Sequence, residues 1–266
     1  MDQWYGKPGN LGNTDGIVLV TVDTRAHRVM LTSFIRDALV ERPDGKIGRI
    51  NYIAKNYGPE ALCKVISQHI GVKVEKYILF DFNQIQTIID YLGGVTLTVT
   101  DAEADYLNRY RISRTATTPA MDKAGTYLFG GHAAVIYMRI RKVANIEGET
   151  QDVGRTRRAR IVLTNIADSL KNITYDEASR LLDVVVSNTV FTNMSANDML
   201  DALDLAMRLK GTRLEGIRMP VDGTYSPCAI AGMATQQIDY PANREALWDF
   251  LLDSFVVVDE EGADEW

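Results

Sequence analysis

The chain has 266 residues, of which 46% are hydrophobic, and its 29 Lys and Arg against 35 Asp and Glu give a formal net charge of −6. This length and composition suffice for one large core or at most two small ones. The acidic balance argues against nucleic-acid binding, which usually requires a basic face. No apolar run reaches the roughly 18 residues of a membrane span, and the N-terminus lacks the apolar segment of a signal peptide.

The first part of the chain predicts a β-hairpin followed by a helix. Residues 16–22 and 27–33 are apolar and rich in β-branched side chains, which is typical of strands. The connection at 23–26 contains Asp and Thr, which favour a tight turn, so the two strands are predicted to be antiparallel neighbours. A helix is then predicted from Pro59, which suits a first helical turn, to about Ile70.

The middle of the chain predicts a strand, a helix and a second strand. Residues 77–82 form the first strand candidate, and Asn83 is a suitable N-cap for a helix over 84–92. Glycines end this helix, and the next strand is predicted at 95–99. These elements repeat the alternation of strand and helix seen earlier in the chain.

The second half predicts mainly helices. Residues 136–141 follow a short helical turn and are predicted to be extended, and 152–172 form a long amphipathic helix. Further helices are predicted at 175–188, 195–210 and 243–255. The acidic segment 257–266 is predicted to be disordered because it has too little apolar surface to bury.

The interleaved strands and helices, without a linker or repeat, predict a single α/β domain with a mixed central β-sheet flanked by helices. The chain has neither a P-loop nor a G-x-G-x-x-G motif, so a nucleotide-binding fold is not supported. Several segments contain more aliphatic residues than the packing of a sheet requires. The sequence leaves open whether these line the core or an apolar groove: Ile85, Ile88, Ile89, Val135, Ile136, Val184 and Val185.

The two cysteines and three histidines indicate no metal chemistry. Cys63 falls in an apolar helical pattern and is predicted to be a buried thiol, and it can pair with Cys228 only if the fold brings them together. No His/Cys cluster occurs in the sequence, which argues against a zinc site.

A local excess of arginine marks the centre of this acidic chain. Arg139 and Arg141 would share one face of a strand, and Arg155 and Arg158 would share one stripe at the start of a helix. Planar guanidinium groups that converge from a strand and a helix N-terminus suit a phosphate or pyrophosphate. The alternative is a solvated surface, but like charges cluster at a cost unless an anion is present.

Charged residues also flank the predicted hairpin. Asp15 directly precedes the first strand, and Arg36 and Asp37 follow the second. Because the strands are antiparallel, these groups are expected at the same edge of the sheet. A carboxylate beside phosphate-binding arginines suggests a bridging Mg²⁺, although Asp15 could also be an ordinary turn or cap residue.

Seven short motifs in the same order resemble the LytR–CpsA–Psr family. They lie at 13–20, 33–37, 49–51 with 58–60, 92–95, 128–134, 137–141 and 152–158. Each motif alone is weak, but their order and spacing are specific. The resemblance assigns 1–172 to a catalytic domain whose N-terminal strand and membrane anchor are missing. It assigns 173–256 to a helical C-terminal extension that packs on the same domain.

The resemblance implies a membrane-anchored phosphotransferase at the extracytoplasmic face of the cell membrane. Such enzymes move an anionic glycopolymer, for example a teichoic acid or a capsule, from a polyprenyl-pyrophosphate carrier to peptidoglycan with the help of Mg²⁺. In the family the lipid lies in an apolar tunnel. Two alternatives stay open. One is a polyprenyl-pyrophosphate phosphatase or pyrophosphatase. The other is a catalytically weakened regulatory relative that binds lipid phosphates.

Carried over by position, the resemblance implies a catalytic set and a wider substrate-binding set. The catalytic set is Arg36, Asp37, Arg139, Arg141 and Arg155, and Arg49 and Arg158 join these arginines in substrate binding. Asp15 and Asp2 would hold the metal. Asp37 could act as a base or could orient Arg36.

Two positions depart from the family pattern. Asn13 stands where the family usually has Arg, and Ala159 stands where it usually has Gln. The loss of a guanidinium and an amide leaves the predicted pocket less cationic, so its activity or acceptor class is expected to differ from that of other members.

Overall fold

This computed structural model describes residues 11–109, 121, 123–189 and 191–252. Within them the strands are β1 (Ile17–Asp23), β2 (Arg28–Phe34), β3 (Leu39–Glu41), β4 (Ile47–Arg49), β5 (Ile78–Leu79), β6 (Val95–Val99), β7 (Gly125–Phe129), β8 (Phe191–Thr192), β9 (Leu214–Met219), β10 (Tyr225–Ile230) and β11 (Met233–Ile238). The helices are α1 (Ile53–Tyr57), α2 (Pro59–Ile70), α3 (Phe82–Tyr91), α4 (Asp101–Arg109), α5 (Gly131–Arg139), α6 (Gln151–Ser169), α7 (Tyr175–Ser187), α8 (Ala196–Arg208) and α9 (Tyr240–Leu252).

The central sheet has the order β1-β2-β9 and is mixed. Strands β1 and β2 form the predicted antiparallel hairpin. Its turn is held by Asp23, whose Oδ1 accepts hydrogen bonds from the backbone N–H groups of Arg25 and Ala26 at 2.9 and 3.0 Å. Strand β9 pairs with β2 in parallel. The expected α/β fold with a mixed sheet flanked by helices is confirmed.

The described residues form two buried cores, and α6 contributes Val162 to the second of them. The first joins the central sheet to α2 and α9 through residues such as Phe34, Val65 and Leu247. The second joins β6 and β7 to α4 and α5 through residues such as Leu97 and Phe129. Helix α6 contacts β2, β6 and β9, so it connects the two cores and brings its first turn to the end of β2.

The prediction of an extended segment at 136–141 is wrong for most of its length, because residues 136–139 form the end of helix α5 and only Ile140 and Arg141 follow it outside the helix. The helix packs very closely on α3: a Cβ at Gly131 would lie 2.2 Å from the carbonyl oxygen of Gln86. Ala134 and Tyr137 are buried at helical spacing. Tertiary packing therefore overrides the alternating apolar pattern that suggested a strand.

Two further expectations change. The predicted strand at 77–82 shortens to β5 because Asp81, and not Asn83, caps the next helix by accepting from the Asn83 and Gln84 N–H groups. The helical description of 173–256 was incomplete, since this region also contains β8 to β11. The acidic segment 257–266 lies outside the described residues.

Cys63 and Cys228 are both free thiols, and burial raises the pKa of Cys63. No helix in the described ranges combines the length and apolar character that crossing a bilayer demands.

Candidate functional site

The two ends of the β1–β2 hairpin and the start of α6 meet in one ion-paired cluster. Asp15, just before β1, has its Oδ1 atom 2.5 Å from Nη1 of Arg36, which directly follows β2. The same oxygen lies 3.2 Å from Nη1 of Arg155 in the second turn of α6. The structure therefore brings together three of the residues that the sequence selected, at the predicted edge of the sheet.

Asp152 is the site residue that the sequence reasoning missed. Its Oδ2 accepts a 2.9 Å hydrogen bond from the backbone N–H of Arg36, and its Oδ1 lies 2.5 Å from Nη2 of Arg155. The carboxylate thus fixes the end of β2 against α6. The signal was present in the sequence as an acidic residue in the first turn of a helix, three positions before an arginine.

Asp37 and Arg49 extend the cluster away from α6. Asp37 Oδ1 lies 3.3 Å from Nη1 of Arg49 and 3.7 Å from Nε of Arg36. The Arg49 guanidinium also donates through Nη2 to the carbonyl oxygen of Ala234 on β11. Asp37 therefore lies between two arginines, and Arg49 marks the side of the site that faces the β10–β11 hairpin.

The arginines at the end of α5 are placed differently from each other. Arg141 lies close enough to Arg155 to act on its charge. Arg139 is exposed, and its guanidinium carbon lies 4.7 Å from the ring centroid of Phe82 at the start of α3. No ion pair joins Arg139 to a carboxylate in the part of the chain that the structure describes.

Arg158 does not join the cluster. Its side chain is fully buried, with Nε 2.6 Å from Glu103 Oε1 and with hydrogen bonds to the carbonyl oxygens of Ile140 and Val143. Three helical positions rotate a side chain by about 60° from the direction of Arg155, which is enough to turn it into the second core. The structure therefore gives Arg158 a packing role in place of the expected substrate contact.

The two departures from the family pattern lie near the cluster. Asn13 is exposed two residues before Asp15, and Ala159 is half-buried one turn after Arg155 on α6. Asn13 cannot supply the guanidinium expected at its position, and Ala159 cannot supply the amide expected at its position.

The cluster is partly buried and incompletely hydrogen-bonded. Among the described residues, seven of the eleven buried side-chain N and O atoms without a hydrogen-bond partner belong to it. These atoms are the Nε of Arg36, Arg49, Arg141 and Arg155, together with Arg155 Nη2, Asp37 Oδ1 and Asp152 Oδ1. The close approach of Arg155 Nη2 and Asp152 Oδ1 is thus an ion pair without hydrogen-bond geometry. Buried donors without partners are rare in proteins and mark a place where a ligand or water belongs.

The electrostatics favour an anion at this place. Burial raises the pKa of the Asp152 carboxyl against the opposing effect of Arg155, and burial also lowers the pKa of the Arg155 guanidinium. Four arginines face three aspartates, so positive charge is in excess. An anion with several oxygen acceptors would satisfy the free donors and balance this charge.

The metal-binding expectation rests on Asp15 alone within the described residues. No group of three or more His, Cys, Asp or Glu suited to a metal ion occurs among them, and Asp2 lies outside them. The Asp15 side chain is 36% exposed. Because Mg²⁺ often uses only one or two carboxylates and takes its other ligands from water and phosphate, Asp15 fits such an ion.

An apolar surface lies beside α3. Helices α5 and α7 both contact α3. Of the undecided aliphatic residues, Ile89 and Val135 are buried, and the half-buried ones are Ile85, Ile88, Ile136, Val184 and Val185. Among the described residues, neither buried core includes Val184 or Val185. Ile85 and Ile136 pack against the second core. We call Ile88, Val184 and Val185, with the exposed Val186, the α3–α7 apolar surface.

Known solved structures share this fold. The crystal structure of Bacillus subtilis TagT is 20% identical and aligns over 91% of this chain and 86% of that one, with a TM-score of 0.71. A structure described as TagT bound to LIIa-WTA aligns over 91% of this chain and 85% of that one, at 21% identity and a TM-score of 0.70.

Some sequence relatives are named as transferases and others as regulatory proteins. "Polyisoprenyl-teichoic acid--peptidoglycan teichoic acid transferase TagU" of Bacillus licheniformis is 26% identical over 73% of this chain and 59% of its own length. "Biofilm regulatory protein A" of Streptococcus mutans is 22% identical over 80% of this chain and 53% of its own length. The chain thus spans between half and two thirds of the length of these relatives. The LytR_cpsA_psr family model matches residues 2–247, and this chain therefore belongs to the LytR_cpsA_psr family.

Proposed function

We propose that this chain transfers a phosphate-linked anionic glycopolymer, such as a teichoic acid, from a polyprenyl-pyrophosphate carrier to peptidoglycan. The observation that carries the proposal is the cluster of Arg36, Arg49, Arg141 and Arg155, whose buried Nε atoms all lack a hydrogen-bond partner within the described residues. Family membership supports it, because the TagU relative is named as a peptidoglycan teichoic acid transferase. The proposed place of action is the extracytoplasmic face of the cell membrane.

A pyrophosphate group suits the cluster chemically. Its ionised oxygens only accept hydrogen bonds, and the buried Nε donors of Arg155 and Arg36 lack acceptors among the described residues. Guanidinium groups held rigidly by Asp15 and Asp152 need little reorganisation when charge develops on the transferred phosphate. Such preorganised positive charge is the main contribution of a protein to phosphoryl transfer.

The acceptor hydroxyl would enter on the side of Asp37. In the proposed step its oxygen forms a bond to the phosphorus that carries the polymer, and the bond from that phosphorus to the bridging oxygen breaks. The carrier leaves as polyprenyl phosphate. Asp37 would receive the hydroxyl proton. One carboxylate oxygen of Asp15 and one of Asp152 already accept a hydrogen bond from Arg36, whereas Asp37 Oδ1 accepts none from a described residue and lies on the side of the cluster away from α6.

The lipid part of the carrier would lie on the α3–α7 apolar surface. An amphipathic helix normally buries its apolar stripe, but Ala178 is the buried residue of α7, while Val184 and Val185 remain half-buried. A polyprenyl chain is apolar and would cover this surface by the same hydrophobic effect that drives core formation. The surface and the arginine cluster would then hold the two ends of one substrate.

The test is a transfer assay with the purified chain, a polyprenyl-pyrophosphate-linked glycopolymer, Mg²⁺ and peptidoglycan. We expect polymer bound to peptidoglycan and release of polyprenyl phosphate in equal amounts. Release of phosphate at the same rate without peptidoglycan would contradict transfer and favour the phosphatase alternative. Tight binding of the carrier without any turnover would contradict enzymatic function and favour a regulatory lipid-binding protein.

Asp15→Asn is expected to weaken Mg²⁺ binding in the presence of inorganic pyrophosphate by at least about tenfold, because the amide is a poor replacement for a carboxylate ligand. When bound, Mg²⁺ would neutralise charge on the phosphate oxygens. The measurement is calorimetric titration of Mg²⁺ into the protein with pyrophosphate. The matched control is Asp23→Asn at the opposite end of the same hairpin. Equal Mg²⁺ affinities for the two variants would show that Asp15 is not a ligand.

A further inference from the structure

The β10–β11 hairpin forms one wall of the arginine–aspartate cluster. The backbone N–H of Gln236 on β11 donates a 2.9 Å hydrogen bond to the carbonyl oxygen of Asp37. Ala38 and Gln236 are partners in a parallel bridge, and Arg49 donates to the Ala234 carbonyl oxygen. A strand from the C-terminal part of the chain thus runs directly beside Asp37.

Gln236 has an unusual side chain for this position. Its Oε1 is buried and has no hydrogen-bond partner among the residues that the structure describes. A buried amide oxygen without a donor costs free energy, so a ligand or water with a donor group belongs beside it. The two neighbours differ: Thr235 is buried and donates to the Cys228 carbonyl oxygen at 3.1 Å, whereas Gln237 is exposed.

An amide oxygen selects the kind of group that can bind. Ionised phosphates carry no donor hydrogen, so the free Oε1 of Gln236 does not suit the pyrophosphate, which would bind on the arginines. A sugar hydroxyl does carry a donor hydrogen. The backbone N–H of Gln236 donates to the carbonyl oxygen of Asp37. Gln236 therefore lies next to the residue that we proposed as the group that receives the proton.

We infer that Gln236 binds the peptidoglycan acceptor by accepting a hydrogen bond from a sugar hydroxyl, and that the β10–β11 hairpin is the acceptor-binding wall of the site. This inference rests on the proposed function and adds to it a residue that separates acceptor binding from carrier binding. Arg36 and Arg155 hold the donor phosphates, and Gln236 orients the incoming alcohol.

The experiment compares Gln236→Met with Gln237→Met. Met has nearly the volume of Gln but cannot accept a strong hydrogen bond, and the strand geometry turns Gln237 to the opposite face. Loss of one hydrogen bond between neutral groups lowers a binding affinity roughly 3- to 10-fold. We therefore expect the KM for the peptidoglycan acceptor to rise by roughly this factor in Gln236→Met only. Affinity for inorganic pyrophosphate should be unchanged in both variants.

Calorimetric binding of a soluble peptidoglycan disaccharide-peptide gives a second readout that needs no turnover. Gln236→Met should bind it roughly 3- to 10-fold more weakly than the wild type. Gln236→Ala serves as a second variant if Gln236→Met is poorly folded by thermal melting. Equal acceptor affinity in wild type and Gln236 variants, or an equal loss in Gln237→Met, would overturn the inference. Absence of transfer by a wild type that still binds the fragment through Gln236 would overturn the proposed function alone.

Discussion

Arg155→Lys is expected to lower the rate of glycopolymer transfer about 10²- to 10³-fold, which is the usual cost of removing one preorganised donor at a developing negative charge. Arg155 spans two carboxylates, with Nη1 3.2 Å from Asp15 and Nη2 2.5 Å from Asp152. A lysine keeps the charge but presents one point donor in place of a planar fork, so it cannot contact both carboxylates and a phosphate. The measurement is kcat in the transfer assay.

The matched control for Arg155 lies two residues further along α6. Arg157 pairs with Glu149 at 2.5 Å on a different side of the helix. Arg157→Lys should leave kcat within about threefold, because Lys keeps the positive charge beside Glu149 and Arg157 contacts none of the cluster carboxylates among the described residues. Both variants should show cooperative melting. If Arg155→Lys transferred polymer at the wild-type rate, the arginine cluster could not be the phosphate site.

Arg158→Met is expected to lower the free energy of unfolding by about 3–5 kcal/mol, because it leaves the Glu103 carboxylate buried without its partner. Both side chains of this pair are buried, at 0% and 1% exposure. The change also leaves the carbonyl oxygens of Ile140 and Val143 without the donors that they have now. Chemical denaturation followed by circular dichroism measures the effect.

A surface ion pair on a neighbouring helix supplies the comparison for Arg158. Arg180 and Asp176 on α7 are 68% and 72% exposed. Arg180→Met should change the free energy of unfolding by no more than about 0.5 kcal/mol. The double variant Glu103→Gln/Arg158→Met should recover part of the stability that Arg158→Met loses, because it removes the buried unpaired charge. Equal stability of the two single arginine variants would show that Arg158 is not a core residue.

Part of the arginine cluster could be predicted from local sequence patterns. The hairpin of β1 and β2 follows from two apolar runs and a turn, and an antiparallel hairpin necessarily places Asp15 and Arg36 at one edge. A helix beginning near Arg155 was likewise visible from its amphipathic pattern. The proximity of Asp15 and Arg36 could therefore be predicted, and the structure confirms it. The contact of Arg155 with Asp15 depends on how α6 packs against the hairpin and could not be predicted from local pattern.

Local sequence patterns gave wrong predictions at positions whose structure depends on packing between distant segments. Arg139 and Arg141 were placed on a strand, but the close contact of Gly131 with α3 stabilises a helix in that stretch. Arg158 looked equivalent to Arg155, and only the presence of Glu103 from α4 shows that it faces the core. Asp152 was visible in the sequence, but its contact with the Arg36 backbone was not.

The sequence by itself determined the family, the α/β class, the hairpin and the arginine-rich character of the site, because these follow from local periodicity and from motifs in a fixed order. Only the tertiary structure decided which arginines share carboxylates and which one is buried. It also placed β9 beside β2 and Gln236 beside Asp37, across about 200 residues of chain. The physical reason is that hydrogen bonds and ion pairs between distant segments depend on how helices and strands pack, and no local spacing encodes that packing.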